Sequence, residues 1–155
     1  MEDRSHLDLK RLAQRCRATM EQTEDTLRRQ YDGPAILAAI RHSEAAYEEL
    51  SQLFDPAAID QRNRGLEQTR QRFAPDFLAQ GRALNQRTYV NLRTAIRHAT
   101  RTNEALGRCI RGIDDNVGFD NIQQEFEVAF RQLADTLHYS YLITLPDNGQ
   151  VAQHI

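Results

Sequence analysis

The chain has 155 residues and a mass of 17.9 kDa; 40% of its residues are apolar, 27% are charged, and its mean hydropathy is -0.68. A chain of this length buries about 70% of the surface that its unfolded form exposes, so we expect a single domain over residues 1–155. Its apolar runs are too short to span a bilayer, and residues 1–10 lack the apolar core of a secretory signal. Two cysteines are too few for a disulfide scaffold, and together these features predict a cytoplasmic protein without a membrane segment.

The charged residues are unevenly distributed, although the net charge is only -2. Residues 1–59 carry a net charge of -3, residues 60–112 one of +7, and residues 113–155 one of -6. Lys10 is the only lysine, so arginine supplies nearly all of the positive charge. A basic middle between acidic ends says little about the fold, but it predicts a polarised surface that bears on the choice of partner.

The spacing of apolar residues is helical in the first part of the chain. Positions that alternate by three and four residues share one face of a helix, and they predict a first helix over residues 6–30 with Ser5 as its N-cap. Asp32-Gly33-Pro34 ends that helix and begins the second one. Asp55-Pro56 ends the second helix and caps a third over residues 56–73. The predicted inner face of the first helix is Leu9, Ala13, Cys16, Met20, Thr23, Leu27 and Tyr31.

The third and fourth predicted helices contain residues that interrupt helical geometry. Gly65 predicts fraying or a bend in the third helix. Pro75 disfavours the helical conformation in the residue before it, so we expect a kink there and a fourth helix from Asp76 to about Arg111. Its inner seam consists mostly of small side chains, which let a neighbouring helix approach closely. The seam is Thr88, Leu92, Ala95, Ala99, Thr102, Leu106, Cys109 and Ile113.

A loop and a helix with a bulky apolar face are predicted next. Residues 112–118 have the composition of a loop, and Asp120 with Gln123 resembles a capping box. A fifth helix is predicted over residues 121–140, and its large side chains complement the small ones of the fourth helix. Its face is Ile122, Phe126, Ala129 or Phe130, Leu133 and Leu137.

The sequence therefore predicts an all-α fold, a four- or five-helix, mostly antiparallel bundle. Two alternatives stay open for the end of the chain. The apolar alternation from Tyr139 and the turn sequence over residues 146–149 are compatible with a short hairpin. The second alternative, which the sequence favours equally, is that the fifth helix continues to about Ile143 and that residues 144–155 form a frayed tail. The heptad-like spacing of the first and fourth helices also permits a homodimer seam.

A row of arginines lies opposite the predicted seam of the fourth helix, and it spans about 43 Å at 1.5 Å per residue. Glu104 interrupts the row, and few acidic residues occupy the positions that would neutralise it. Such a row is typical of a solvated helix face, and it also fits a phosphate backbone or an acidic protein surface. A further alternative is that acidic residues of the fifth helix neutralise it. The row is Arg82, Arg93, Arg97, Arg101, Arg108 and Arg111.

From this row we expect a non-catalytic interaction module, an adaptor or chaperone-like bundle that binds another protein with an acidic surface. The isoelectric point of about 6.2 and the lack of aromatic residues within the row argue against a dedicated nucleic-acid binder. A nucleic-acid-binding subunit of a larger complex stays as an alternative. We expect no metal or other cofactor, because His42 with Glu44 and Glu48 is the only His/Glu grouping, whereas a di-iron bundle needs two sets.

Two short patterns resemble known families. Arg93 with His98, and Arg131 with His138, are spaced as in ribonucleases of the HEPN type. That resemblance implies metal-independent RNA cleavage, in which histidine is the acid or base and arginine stabilises the phosphorane. In this chain Thr94 and Gln132 follow the two arginines, where the family more often has Asn or Asp.

The second resemblance is to export chaperones of the flagellar type. Arg82-Ala83-Leu84-Asn85-Gln86 and the amphipathic segment up to Leu106 are similar to the substrate-binding helix of that group. The resemblance implies a small cytoplasmic protein that holds a secretion substrate. The resemblance covers the fourth predicted helix, and the first two helices would form the antiparallel hairpin of that fold. The bulky, acidic fifth helix departs from the pattern of the family.

Overall fold

The computed structural model describes residues 5–29, 33–79 and 86–143. These residues form α-helices and contain no strand, which confirms the predicted all-α class. No helix in these ranges combines the length and the hydrophobicity that a bilayer-spanning segment needs. The helices are α1 (His6–Arg29), α2 (Gly33–Ser51), α3 (Pro56–Gln71), α4 (Pro75–Ala79), α5 (Gln86–Asp114) and α6 (Phe119–Ile143).

The bundle is built around the pair α5 and α6, which pack against each other more extensively than any other two helices described. Arg108 meets Glu125 near the loop that joins the pair, and His98 meets Gln132 farther along it. Because the residue number rises along one helix as it falls along the other, the two helices are antiparallel. α1 packs on α5 and on α2, while α2 and α3 cover α6.

The predicted inner faces of α1, α5 and α6 are confirmed where the structure describes them, and Tyr31 of the first face lies outside the described residues. The face of α1 is buried from Leu9 to Leu27, and all eight seam residues of α5 are buried, from Thr88 to Ile113. Phe126 of α6 is fully buried, as a large side chain opposite a seam of alanines and threonines requires. Burial of these apolar side chains contributes about 25 cal/mol for each Å² removed from water, which is the main stabilising term for the bundle.

Two predicted helix caps are also confirmed. The Ser5 side chain accepts a hydrogen bond from the amide of Asp8 at 3.1 Å, at the start of α1. The Asp55 side chain accepts one from the amide of Ala57 at 3.2 Å, and Pro56 is the first residue of α3. Each carboxylate or hydroxyl satisfies an amide that has no partner within its helix.

The predicted helix from Asp76 to about Arg111 is helical in both of its described parts, α4 and α5, and its continuity between them stays a prediction. α4 ends at Ala79 and α5 begins at Gln86, and residues 80–85 lie outside the described ranges. α4 packs against α2, where the backbone of Leu78 lies against Gly33. This contact between segments far apart in the chain holds α4 against α2, and apolar spacing cannot reveal it.

Several boundaries also differ from the prediction. α3 is continuous through Gly65, because the glycine occupies an interior helical position without interrupting the backbone ladder. α5 extends past Gly112 to Asp114, and α6 begins at Phe119, so Asp120 lies in its first turn rather than at its cap. The carbonyl of Gly118 accepts the amides of Asn121 and Ile122 instead.

The helical alternative for the end of the chain is confirmed up to Ile143. Tyr139 to Ile143 belong to α6, and Tyr141 and Ile143 are buried against the bundle. The Tyr141 hydroxyl donates a hydrogen bond of 2.6 Å to the Glu44 carboxylate of α2, which anchors this last turn. The predicted tail over residues 144–155, with its turn sequence, lies outside the described residues.

Candidate functional site

The exposed ridge of α5 presents the central part of the predicted arginine row. Arg93, Arg97 and Arg101 are exposed, and they follow one another at steps of four along the helix. Arg111 is exposed nearer the end of α5, and Arg82 lies outside the described residues. The seam on the opposite side of the helix is buried, so the orientation of these side chains follows from the period of the helix.

The three arginines line a groove of about 450 Å³ between α1 and α5, which we call the arginine groove. The half-buried side chain of Ile96 supplies its apolar floor. Glu104 is its only acidic lining residue in the described part of the chain, and it makes no ion pair with a described arginine. The groove is lined by Arg28, Arg93, Ile96, Arg97, Thr100, Arg101 and Glu104.

A hydrogen-bonded network fixes the wall that α1 contributes to the arginine groove. The Glu24 carboxylate accepts hydrogen bonds from Thr100 at 2.8 Å and from Asn103 at 3.0 Å, both on α5. Arg28 donates to Glu24 at 3.0 Å and, through its second nitrogen, to Thr100 at 3.0 Å. Arg28 is therefore neutralised, and its guanidinium is held in place as part of the wall.

Neutralisation by α6, the alternative raised from the sequence, applies to Arg108. Its Nε lies 2.9 Å from both oxygens of Glu125, so this guanidinium already has an intramolecular counterion. Arg93, Arg97, Arg101 and Arg111 make no ion pair with any residue that the structure describes. The unpaired positive charge of the row is thus concentrated at the arginine groove, with Arg111 apart from it.

The two Arg–His pairs that resemble a ribonuclease motif are each split between two cavities. His98 and His138 line one cleft, whereas Arg93 lines the arginine groove on the other side of α5. Arg131 lines a third, smaller cavity beside Phe54. For Arg93 and His98 the helical offset explains the separation, because five residues turn a helix by about 140° at 3.6 residues per turn. The ribonuclease hypothesis stays a prediction, although neither arginine shares a cavity with its histidine.

The sequence did not predict that His98 and His138 would line the same cleft, nor that Thr69 and Gln132 would form hydrogen bonds with them. His98 Nδ1 lies 2.7 Å from Oε1 of Gln132, and His138 Nδ1 lies 2.9 Å from the Thr69 hydroxyl. Tyr139 contacts both imidazoles, with its ring stacked on His98. The sequence shows only that two neighbouring helices each carry a histidine. The register of α5 against α6, which the sequence does not give, places both histidines at the same cleft.

Both cysteines and Tyr141 are buried. Burial raises the pKa of the Cys16 and Cys109 thiols to about 12, so neither is a thiolate near neutral pH. Burial and the bond to Glu44 likewise raise the pKa of Tyr141. Within the described ranges, no three histidine, cysteine or acidic side chains are grouped so that they could hold a metal ion.

The fold and this geometry define an all-α bundle with an arginine-lined groove on its surface. The chain has no significant match among protein families, curated proteins or solved structures.

Proposed function

We propose that the protein is a non-catalytic interaction module that binds an acidic segment of another protein in the arginine groove. One observation supports the proposal above the others: Arg93, Arg97 and Arg101 line the same groove and have no counterion among the described residues. A helix that only faces solvent normally carries acidic residues at the neighbouring positions of the same face.

The chemistry of the arginine groove favours carboxylates over other ligands. A guanidinium presents parallel N–H donors that match the two oxygens of a carboxylate. The half-buried Ile96 between the arginines offers an apolar contact, which suits a peptide that carries both acidic and aliphatic side chains. Because no described aromatic side chain lines the groove, it lacks the stacking surfaces on which single-stranded nucleic acids depend.

The proposal is tested by reversing two of these charges, as Arg97→Glu with Arg101→Glu. We expect helicity and thermal stability to stay nearly unchanged, because both side chains are exposed and unpaired. Binding of a labelled peptide rich in glutamate and leucine, followed by fluorescence anisotropy at low salt, should weaken at least about tenfold. This estimate assumes that each lost arginine–carboxylate contact, together with the repulsion from the new glutamate, costs about 1 kcal/mol.

The matched control reverses Arg64 and Arg72, which are exposed arginines outside the arginine groove and without a described ion pair. It changes the net charge by the same amount, so it measures the non-specific effect of total charge on the same peptide. Equal affinity of the two double variants for the peptide would show that the row is only a solvated face.

A further inference from the structure

A second cavity lies between α3 and the pair α5 and α6, on the other side of α5 from the arginine groove. We call it the histidine cleft; its volume of about 720 Å³ lies within the range of sites for small ligands. His98 of α5 and His138 of α6 line it, together with Asp135 and Tyr139. The proposed function does not use any of these residues.

The hydrogen bonds of the two histidines determine which ring nitrogen carries the proton. The Thr69 hydroxyl donates its single proton to the carbonyl of Gly65 at 3.2 Å, so it accepts a hydrogen bond from His138 Nδ1. The amide oxygen of Gln132 accepts from His98 Nδ1 in the same way. Each neutral ring therefore carries its proton on Nδ1 and a lone pair on Nε2.

Both Nε2 atoms are available to a ligand. Neither atom has a hydrogen-bond partner among the described residues, and neither is among the buried polar atoms that lack a partner. Burial lowers the pKa of His138, an effect that Asp135 opposes and His98 reinforces, so this ring is uncharged near neutral pH. His138 Nε2 is thus a hydrogen-bond acceptor in the cleft and not a cationic donor.

The remaining lining gives the histidine cleft the opposite electrostatic character to the arginine groove. Among the described lining residues, Asp135 is the only one with a charge of fixed sign, and its carboxylate lies 3.9 Å from His98 Nδ1. No described arginine or lysine lines the cleft. Ala58 and Leu66 of α3 supply an apolar wall. Two imidazole lone pairs and a carboxylate require a ligand that donates hydrogen bonds and carries positive charge, and they repel a phosphate.

We propose that the histidine cleft binds a small aliphatic amine in its protonated form. The ammonium group donates hydrogen bonds to Nε2 of His98 and His138 and to the Asp135 carboxylate. The hydrocarbon part of the ligand packs against Ala58 and Leu66. Three acceptors match the three N–H donors of a primary ammonium group, and the volume of the cleft leaves room for an alkyl chain behind it.

Isothermal titration calorimetry with putrescine near neutral pH tests this assignment, with butanediol and inorganic phosphate as the comparison ligands. We expect saturable binding of one putrescine for each chain and no binding of butanediol, which has the same carbon chain but no charge. Absence of putrescine binding, or binding of phosphate in its place, would overturn the proposal.

Two variants locate the binding. Asp135→Asn removes the charge of a half-exposed side chain, and His98→Phe keeps a ring to stack on Tyr139 but removes the acceptor. We expect each to weaken putrescine binding at least about tenfold, the usual effect of losing a hydrogen bond to a charged group. Asp120→Asn is the matched control, since it removes an exposed charge of the same helix outside the cleft and without a described ion pair.

If Asp135→Asn and Asp120→Asn bind putrescine equally, the amine is attracted only by net charge and the proposal fails. Arg97→Glu with Arg101→Glu should bind putrescine as the unaltered protein does, because those residues line the other cavity. Failure at the histidine cleft is therefore distinguishable from failure at the arginine groove.

Discussion

Glu24 shows how one carboxylate joins two helices of this bundle. Its side chain is 19% exposed, and it accepts hydrogen bonds from Thr100 and Asn103 of α5 and from Arg28 of its own helix. Burial acts to raise the pKa of Glu24, but the hydrogen bonds from these residues outweigh it and hold the pKa below its usual value. The charged form is thus preferred in the folded state, which makes this residue a source of pH-dependent stability.

We expect Glu24→Gln to lower the free energy of unfolding by about 1–2 kcal/mol near neutral pH, since an amide cannot accept all three hydrogen bonds. A carboxyl whose pKa is lower in the folded state stabilises the protein above its unfolded pKa and loses this effect as the pH falls through the folded pKa. The difference between variant and parent, measured by urea denaturation, should therefore shrink below about pH 4.

Glu21→Gln is the control for this prediction, because Glu21 is an exposed residue of the same helix whose ion pair with Arg17 spans 3.7 Å. An exposed pair of this kind contributes little, so stability should barely change at any pH. A constant difference between Glu24→Gln and the parent down to low pH would contradict the role of the charged carboxylate.

Elements of this fold owe their positions to contacts that individual glycines permit. A Cβ added at Gly33, the first residue of α2, would lie 2.7 Å from the carbonyl carbon of Leu78 and 2.9 Å from its Cα. These are backbone atoms of α4, which cannot rotate away as a side chain can. A Cβ at Gly65 would meet nothing within 4 Å, so the same residue type has no steric role in α3.

The two glycines predict opposite effects of the same substitution. Gly65→Ala should raise the free energy of unfolding by up to about 1 kcal/mol, because alanine is the better helix former. Gly33→Ala should lower the free energy of unfolding, because α4 must move away from α2 or the helix must shift. Thermal unfolding followed by circular dichroism measures both, and stabilisation by Gly33→Ala would show that α4 does not depend on this close approach.

The predictability of each element follows from how local its cause is. The N-terminal ends of α1 and α3 were predicted because the side chains of Ser5 and Asp55 accept hydrogen bonds from amides two or three residues away. The packing of α4 on α2 was not predicted, since it joins segments that are far apart in the chain. The sequence left two alternatives open for the end of α6, and the bond from Tyr141 to Glu44 favours the helix over the strand-like alternation.

At the scale of the whole molecule, the acidic last segment of the chain partly neutralises its basic middle. Glu125 pairs with Arg108 at 2.9 Å, whereas Arg111 has no described ion pair and Asp114 pairs with Lys10 of the first segment at 2.6 Å. In the middle of the ridge, Arg93, Arg97 and Arg101 form no ion pair with any described residue. The net charge of -2 therefore conceals one local surface of positive potential.

This distribution of charge leads us to expect that the purified protein leaves RNA intact in a buffer with a chelator and elutes from heparin at low salt. One short electropositive groove neutralises few phosphates, so moderate ionic strength is enough to release it from a polyanion. RNA degradation that His98→Ala and His138→Ala both abolish would instead support the ribonuclease hypothesis. Retention on heparin beyond physiological salt would favour a nucleic-acid-binding subunit.

The sequence by itself determined the all-α class, the inner faces of the helices and two of their caps, because these depend on residues within a few positions of one another. Only the tertiary structure decided that Arg108 is neutralised while Arg97 is not, since Glu125 lies 17 positions away from Arg108. It also brought His98 and His138 to one cleft and separated them from Arg93. Electrostatic pairing and cavity lining depend on the register between helices, which the packing of side chains across the whole bundle establishes.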